Sequence, residues 1–283
     1  MPLKLMYITN EPAVAKIAET YGVDRIWIDL ETLGKQERQK EVNSVKSHHK
    51  IEDIAAIKKV VTTSEVMVRI NPWNKDSIEE MEEVIRCGAD LIMLPMWKTV
   101  SEAKEFARVA FGRAKTILLL ETKEAVECLD DVLLLRGIDE IHIGLNDLHL
   151  SYGMDFMFEP LADGKIETLC RKIRAAGLPF GFGGIAKLGE GLLPAENVIM
   201  EHYRLGSTRA ILSRSFCDSA KIKKIEELDK TFQGNLKALR DYEIYAASAG
   251  ERAYVLNQNE VIQRVNKITE KIRKGKQQWI AKG

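Results

Sequence analysis

Short apolar segments recur along this chain between longer amphipathic segments. They are rich in Ile, Val, Leu and Met, and most are apolar at consecutive positions rather than at every second one. Consecutive apolar residues are typical of strands that are buried on both faces of a parallel sheet. In chain order the segments are "LKLMYI", "RIWIDL", "VMVRI", "LIML", "TILLL", "EIHIG", "FGFGG" and "TRAIL". The pattern therefore predicts eight parallel strands.

Segments of helical period separate the predicted strands. Helices are predicted over "EPAVAKIAETYG", "DSIEEMEEVIRCG", "TVSEAKEFARVAFG", "KEAVECLDDVLLLRG" and "GKIETLCRKIRAAG". The second is expected to have Asp76 as its N-cap and Gly88 as its C-cap. Eight strands that alternate with helices predict a (β/α)8 TIM barrel, here over residues 1–217. Residues 218–283 are predicted to form two or three charged helices, either a solvated cap or an arm on a neighbouring subunit.

Composition narrows the class of partner. The chain has 283 residues, close to the roughly 250 of a single α/β barrel. Its 42 basic and 42 acidic side chains cancel, so no overall field favours nucleic acid or an anionic membrane. The four cysteines lack the spacing of a zinc site and are expected to be free thiols. With no secretory signal and no membrane span in the sequence, we expect a cytoplasmic protein whose partner is a small molecule.

Ionisable side chains follow several of the predicted strands. In a TIM barrel the C-terminal ends of the strands form one rim, which carries the active site. Glu121 and Asp147 follow adjacent strands, about 4.8 Å apart, so their carboxylates can meet there. Two hard oxygen ligands suit Mg²⁺ or Mn²⁺, with the remaining positions left to water and substrate. The alternative is that Glu121 caps the following helix and Asp147 closes a turn.

Arg69 lies within an otherwise apolar strand of the same rim. A buried arginine needs an anionic partner, and its planar fork could bind a carboxylate or stabilise an enolate oxygen. The alternative is a salt bridge to Asp29 or Glu31 that joins the second and third strands. The two roles are compatible, so Asp29 and Arg69 are both candidate catalytic residues.

Two histidines, His48 and His49, lie in a long polar segment that runs from Thr32 to about Lys50. A loop of this length after a barrel strand is usually functional or disordered. Either histidine could act as a general base, because its pKa lies near the working pH. Exposed loop histidines without a chemical role are the alternative.

Several of these motifs together resemble the HpcH/HpaI aldolase and citrate lyase β-subunit family, barrels of the phosphoenolpyruvate/pyruvate superfamily. The matching motifs are "WIDLET", "VRIN", "LPMWKT", "LLLETKEAV", "IGLNDLHLSYG" and "GFGGIA", in the family's order over roughly residues 24–190. The resemblance implies that Glu121 and Asp147 hold a divalent metal, Mg²⁺, Mn²⁺ or Co²⁺. It also implies that the backbone N–H groups of Asn146 and Asp147, which follow Gly144, receive a pyruvate carboxylate, while Arg69 stabilises the enolate oxygen.

The sequence departs from that family after the second strand. The family's hydroxy-oxo-acid aldolases follow this strand closely with a histidine, the proposed base. The segment "DLETLGKQ" has none, which leaves His48 and His49 as candidates if the loop folds back. The motif "DLET" looks nearer to the citrate lyase and malyl-CoA lyase branch. Family members also often exchange C-terminal helices between subunits, so a homo-oligomer is expected.

The leading prediction is a metal-dependent carbon–carbon lyase that cleaves a 4-hydroxy-2-oxo acid to pyruvate, or a close analogue, and an aldehyde, or runs the reverse condensation. One alternative is a lyase or thioesterase that acts on a coenzyme A ester of a hydroxy diacid. Another is a catalytically silent barrel that serves as a binding subunit.

Overall fold

The eight apolar segments form a closed parallel barrel in the order β1 to β8, in a computed structural model that describes residues 1–34, 49–219, 221–222 and 224–280. The strands are β1 Lys4–Ile8, β2 Arg25–Asp29, β3 Glu65–Arg69, β4 Leu91–Leu94, β5 Lys115–Leu120, β6 Glu140–Ile143, β7 Phe180–Ile185 and β8 Arg209–Leu212. Each strand pairs in parallel with its sequence neighbours, and β8 pairs with β1. The predicted (β/α)8 fold is confirmed.

Helices surround the barrel. Within the described residues they are α1 Pro12–Thr20, α2 Glu52–Lys58, α3 Ser77–Arg86, α4 Val100–Ala110, α5 Lys123–Glu127, α6 Leu129–Val132, α7 Leu145–Ser151, α8 Glu159–Ala162, α9 Lys165–Ala175, α10 Ala195–Leu205, α11 Ile225–Ser248 and α12 Glu251–Ile280. The predicted helices are present, with one division. The helices α2, α7, α8 and α10 were not anticipated.

The single helix predicted over residues 123–137 is in fact two short helices. Cys128, at φ −102° and ψ 10°, ends α5 and precedes α6. Ala125, Leu129 and Val132 are all buried and keep a helical spacing across the break. Because the apolar spacing continues through the break, periodicity alone could not reveal it.

The ends of α3 differ slightly from expectation. Asp76 occupies the N-cap position but forms no side-chain capping hydrogen bond. Cys87 is the C-cap, and Gly88 follows it with φ 99°. A positive φ at this place is the conformation that glycine adopts at little cost, so Gly88 follows a C-cap that lies one position earlier than predicted.

The interior of the barrel is filled in layers, as the period of two along each strand requires. The apolar layer, which is two side chains deep on β4 and β5, consists of Met6, Trp27, Met67, Leu91, Met93, Ile117 and Leu119. Below it, Arg25 donates two hydrogen bonds of 2.7 Å to Glu140, which also pairs with Arg209 at 3.0 Å. These ion pairs fill the N-terminal end of the barrel interior, opposite the C-terminal rim.

The last two helices pack on the barrel of their own chain. The helix α11 packs against α1 and α10, and α12 packs against α10 and α8. Phe232 of α11 contacts Tyr7 of β1 with ring centroids 4.9 Å apart. Asn257 of α12 accepts a buried hydrogen bond of 2.8 Å from Asn197 of α10. Among the helices of the described residues, none is both long and apolar enough to cross a membrane.

Candidate functional site

The period of two also decides which side chains reach the rim. Trp27, Met67 and Leu119 face the interior, and the residues two positions further along the same strands are Asp29, Arg69 and Glu121. Asp29 and Arg69 are direct neighbours in the register between β2 and β3. The same alternation therefore places these three ionisable groups above the apolar layer, at the open end of the barrel.

Arg69 is held by two carboxylates. Its Nε and Nη2 donate hydrogen bonds of 2.9 Å to the two oxygens of Asp29, and Nη2 lies 3.2 Å from Glu31 Oε2. The guanidinium also stacks over the Trp27 ring, 5.0 Å from its centroid. Burial opposes the charge, but Asp29 and then Glu31 outweigh it and raise the pKa of Arg69. The salt bridge considered from the sequence is present, and Nη1 takes no part in these three contacts.

Glu121 follows β5 and is only 3% exposed. Its Oε1 accepts a hydrogen bond of 3.1 Å from the backbone N–H of Met96. It does not cap the next helix, because Thr122 does so: the Thr122 side chain accepts a hydrogen bond of 3.2 Å from Ala125 N. The capping role considered for Glu121 is therefore wrong, and its carboxylate belongs to the rim.

Glu121 and Asp147 form an electrostatically unfavourable pair. Burial, and next the charge of Asp147, raise the pKa of Glu121 well above its usual range, while Arg69 opposes the shift. A β-carbon on Gly144 would lie 2.6 Å from Glu121 Oε2, so glycine leaves that oxygen accessible. Two hard oxygen donors that repel each other in a buried cradle fit Mg²⁺ or Mn²⁺.

The rest of the coordination sphere would have to come from water and substrate. Within the described part of the chain, no group of three or more His, Cys, Asp or Glu residues is placed to hold a metal ion. A site with two protein ligands and open positions is what a catalytic, rather than structural, Mg²⁺ site requires.

Asp147 belongs to the first turn of α7, for which Gly144 is the N-cap. The first hydrogen bond of this helix runs from Leu148 N to Gly144 O at 3.0 Å. The amides of Asn146 and Asp147 thus lie before the intrahelical ladder, where backbone N–H groups are available to an anion. The short strand β6 and the turn of α7 bring these amides and the Asp147 carboxylate to one place.

His49 lies at the end of β2, although the sequence separates it from Asp29 by 20 positions. The backbone N–H of Asp29 donates a hydrogen bond of 3.0 Å to His49 Nδ1. Trp27 O accepts from Thr9 N and Leu30 N donates to Arg69 O, so the Asp29 N–H points toward β1. Since β1 ends at Ile8, His49 takes the place of the missing strand acceptor.

This hydrogen bond selects a tautomer. Because Nδ1 accepts, a neutral His49 ring carries its proton on Nε2. The backbone next to His49 is held by Asp53 Oδ2, which accepts hydrogen bonds of 2.8 Å from Lys50 N and from Asn10 Nδ2. His48, the other histidine predicted here, lies outside the described residues.

Sequence reasoning missed the role of three residues. The side chain of Asp53 accepts a hydrogen bond from Lys50 N, next to His49, and the backbone N–H of Met96 donates to Glu121. Glu80 accepts a hydrogen bond of 2.8 Å from the Asn71 side chain, whose oxygen accepts from Thr32 N at 2.9 Å. This relay connects α3 to the chain just after Glu31. A polar strand end such as Asn71 could have been noticed, but no sequence signal marks Met96.

The chain is similar to several known proteins. Residues 4–159 match the family profile of HpcH/HpaI aldolase/citrate lyase. A 2-keto-3-deoxy-L-rhamnonate aldolase from Shigella sonnei is 26% identical over 205 residues, which cover 61% of this chain and 71% of that enzyme.

Solved structures resemble the barrel at lower identity. The crystal structure of an HpcH/HpaI aldolase/citrate lyase family protein from Burkholderia cenocepacia gives a TM-score of 0.60 at 17% identity, covering 80% of this chain and 94% of that one. The citrate synthase SbnG gives 0.57 at 16% identity, covering 75% and 86%. At these identities the likeness shows a shared fold.

Proposed function

Because this chain belongs to the HpcH/HpaI aldolase/citrate lyase family and is an aldolase-type carbon–carbon lyase, we propose that it cleaves or forms a 4-hydroxy-2-oxo acid through a pyruvate enolate, in a reaction that depends on a divalent metal. The observation that carries the proposal is the pair Glu121 and Asp147 beside Arg69 at the open rim. The Shigella relative is named as an aldolase of a 2-keto-3-deoxy acid, and this name supports the same class of substrate.

The metal site is proposed at Glu121 and Asp147. A bound Mg²⁺, Mn²⁺ or Co²⁺ would supply Lewis acidity at the 2-oxo group of the substrate. Glu121 Oε2 faces Gly144, where no side chain blocks it, and its Oε1 is occupied by the Met96 amide. The N–H groups of Asn146 and Asp147 would receive the substrate carboxylate in front of α7.

Arg69 is proposed to stabilise the enolate oxygen. Asp29 and Glu31 occupy its Nε and Nη2, and this fixes the plane of the guanidinium while keeping its charge. A pre-oriented cation loses little free energy to reorganisation when negative charge develops near it. Asp29 thus contributes to catalysis by holding both Arg69 and, through its amide, His49.

His49 is proposed to handle the proton of the 4-hydroxyl group. In the tautomer that Asp29 N–H selects, Nε2 carries the proton and acts as a hydrogen-bond donor toward a substrate oxygen. To accept a proton at Nε2, the ring must first exchange the Nδ1 hydrogen bond, which costs about 1 kcal/mol. The base role predicted from the sequence therefore stays a prediction for His49, with this additional step.

The proposal is tested by metal-dependent exchange of the pyruvate methyl protons in deuterated water, followed by NMR. Exchange needs the metal, Arg69 and a base, but no knowledge of the aldehyde. We expect exchange with Mg²⁺ or Mn²⁺, none with chelator, and none in Glu121→Gln or Asp147→Asn. The matched control is Glu124→Ala, an exposed carboxylate on α5 that pairs with Lys98.

Exchange that survives in both charge-removing variants would contradict the metal assignment. Exchange absent from the wild-type enzyme with every metal would favour a coenzyme A thioester substrate or a silent barrel. Product analysis with 4-hydroxy-2-oxo acids and with malyl-type thioesters then distinguishes an oxo-acid lyase from an enzyme that acts on a thioester. A cytoplasmic location and a homo-oligomeric assembly remain predictions.

A further inference from the structure

Met96 has an unusual backbone conformation. Its φ is 53°, and within the described part of the chain it is the one non-glycine residue with a positive φ. The left-handed region costs an L-residue with a bulky side chain roughly 1–2 kcal/mol, so it persists only where neighbouring structure imposes it. Such residues cluster at functional sites, and Met96 lies two positions after the last residue of β4, on the rim.

The chain that follows Met96 is anchored at two points. Trp97 is fully buried, and its carbonyl accepts a hydrogen bond of 2.8 Å from Thr122 Oγ1. Thr99 begins α4 with a capping box in which its side chain accepts from Glu102 N and Glu102 accepts from Thr99 N. Between the end of β4 and these anchors, Met96 has little freedom to relax its backbone.

The consequence of this conformation is the direction of one N–H group. The Met96 amide donates a hydrogen bond of 3.1 Å to Glu121 Oε1. With Oε1 held, the second oxygen of Glu121 is directed to the space beside Gly144, where a β-carbon would approach it to 2.6 Å. The hydrogen bond therefore selects which Glu121 oxygen remains for a ligand.

We propose that Met96 is a positioning residue: its left-handed backbone turns its N–H onto Glu121 Oε1 and so presents Oε2 to the metal. The inference rests on the proposed metal site at Glu121 and Asp147. It assigns the function to the backbone of Met96 and none to its thioether. The identity of residue 96 matters only through how well it tolerates a positive φ.

Substitutions separate the backbone from the side chain. Met96→Gly and Met96→Asn remove the thioether but tolerate the left-handed region, whereas Met96→Val removes it and opposes that region. The readout is the Kd for Mn²⁺ of the full chain, measured by calorimetry and by electron paramagnetic resonance. Near-ultraviolet circular dichroism confirms that each variant is folded.

We expect M96G and M96N to bind Mn²⁺ within about threefold of wild type, and M96V to bind about 10- to 100-fold more weakly, the usual loss when a group that orients a ligand is removed. Wild-type affinity in folded M96V overturns the inference. Loss of affinity in M96G and M96N also overturns it, because the side chain would then be responsible. If M96V does not fold, Met96→Ala takes its place, because alanine also opposes a positive φ but with less strain, and wild-type affinity in folded M96A overturns the inference.

The proposed function fails differently. If the wild-type chain does not bind Mn²⁺, or if Glu121→Gln binds it equally well, the metal site itself is wrong, and the role of Met96 falls with it. If the wild type binds and Glu121→Gln does not, the metal site stands, and the Met96 series alone decides the further inference.

Discussion

His49, which follows Asp29 by 20 positions in the sequence, lies beside it because of one backbone donor. The Asp29 N–H points toward β1, which has already ended, and a buried N–H without an acceptor is unfavourable by about 1–3 kcal/mol. His49 Nδ1 supplies that acceptor. The family resemblance implies a histidine close behind the second strand, and here a histidine 20 positions after Asp29 lies at the same rim.

We predict that His49→Gln lowers kcat for aldol cleavage by about 100-fold or more, the usual contribution of a proton-transfer group. Glutamine keeps an acceptor for the Asp29 amide, so Mn²⁺ affinity should be unchanged. His48→Gln, the neighbouring histidine, is the control and should change kcat by less than about threefold. Steady-state kinetics decide the matter, and a large loss in H48Q alone would assign the role to His48.

At the scale of elements, α11 occupies the position of an eighth barrel helix. It packs against α1 and α10, which flank that position in the closed ring. Glu243 of α11 accepts a hydrogen bond of 2.7 Å from Leu3 N, at the start of β1. We therefore propose that the barrel unit extends through α11 and that α12 alone is appended. The division into 1–217 and 218–283 predicted from the sequence remains to be tested.

Truncation distinguishes the two divisions. A chain that ends at Gly250 loses α12, whose Val261 and Val265 are almost fully buried. Burying two such side chains is worth roughly 3–6 kcal/mol, so we expect cooperative unfolding with Tm lower by on the order of 10 °C. A chain that ends at Lys224 should not unfold cooperatively, because Tyr7 loses Phe232. Cooperative melting of that shorter chain would instead support the boundary at 217.

At the scale of the whole molecule, two buried histidines make the stability of the fold depend on pH. Burial lowers the pKa of His142 to about 4 and that of His202 to about 3, from 6.5. His142 Nε2 donates a hydrogen bond of 3.2 Å to Gly183 O, and His202 stacks on Phe182. Both pKa values are depressed in the folded state, so the unfolded chain binds more protons below pH 6.5. The free energy of unfolding therefore decreases as the pH is lowered.

We predict that this loss amounts to about 2 kcal/mol for each histidine at pH 5, relative to pH 7.5. His202→Phe keeps a ring against Phe182 and removes one titrating group, so its loss over the same interval should be about half that of wild type. Urea unfolding at both pH values measures it. An unchanged pH dependence in H202F would show that other groups, such as paired carboxylates, govern acid unfolding.

The sequence by itself determined the strands, the barrel and the residues that each strand brings to the rim. Runs of consecutive apolar residues are compatible with few environments other than a parallel sheet covered on both faces. The side-chain period of two then sends Asp29, Arg69 and Glu121 into the barrel, which is a local consequence of where each strand ends. Glu121 and Asp147 could be paired in advance because they follow adjacent strands.

The tertiary structure alone decided the contacts between residues that are distant along the chain. The placement of His49 depends on β1 ending before β2, and the Met96 conformation depends on anchors at Trp97 and Thr99. Neither a histidine nor a methionine in a sequence indicates such a hydrogen bond. Bonds of this kind arise only when the closed barrel fixes the register of its strands. Closure of the barrel also brings the Met96 N–H of the motif "LPMWKT" within hydrogen-bonding distance of Glu121.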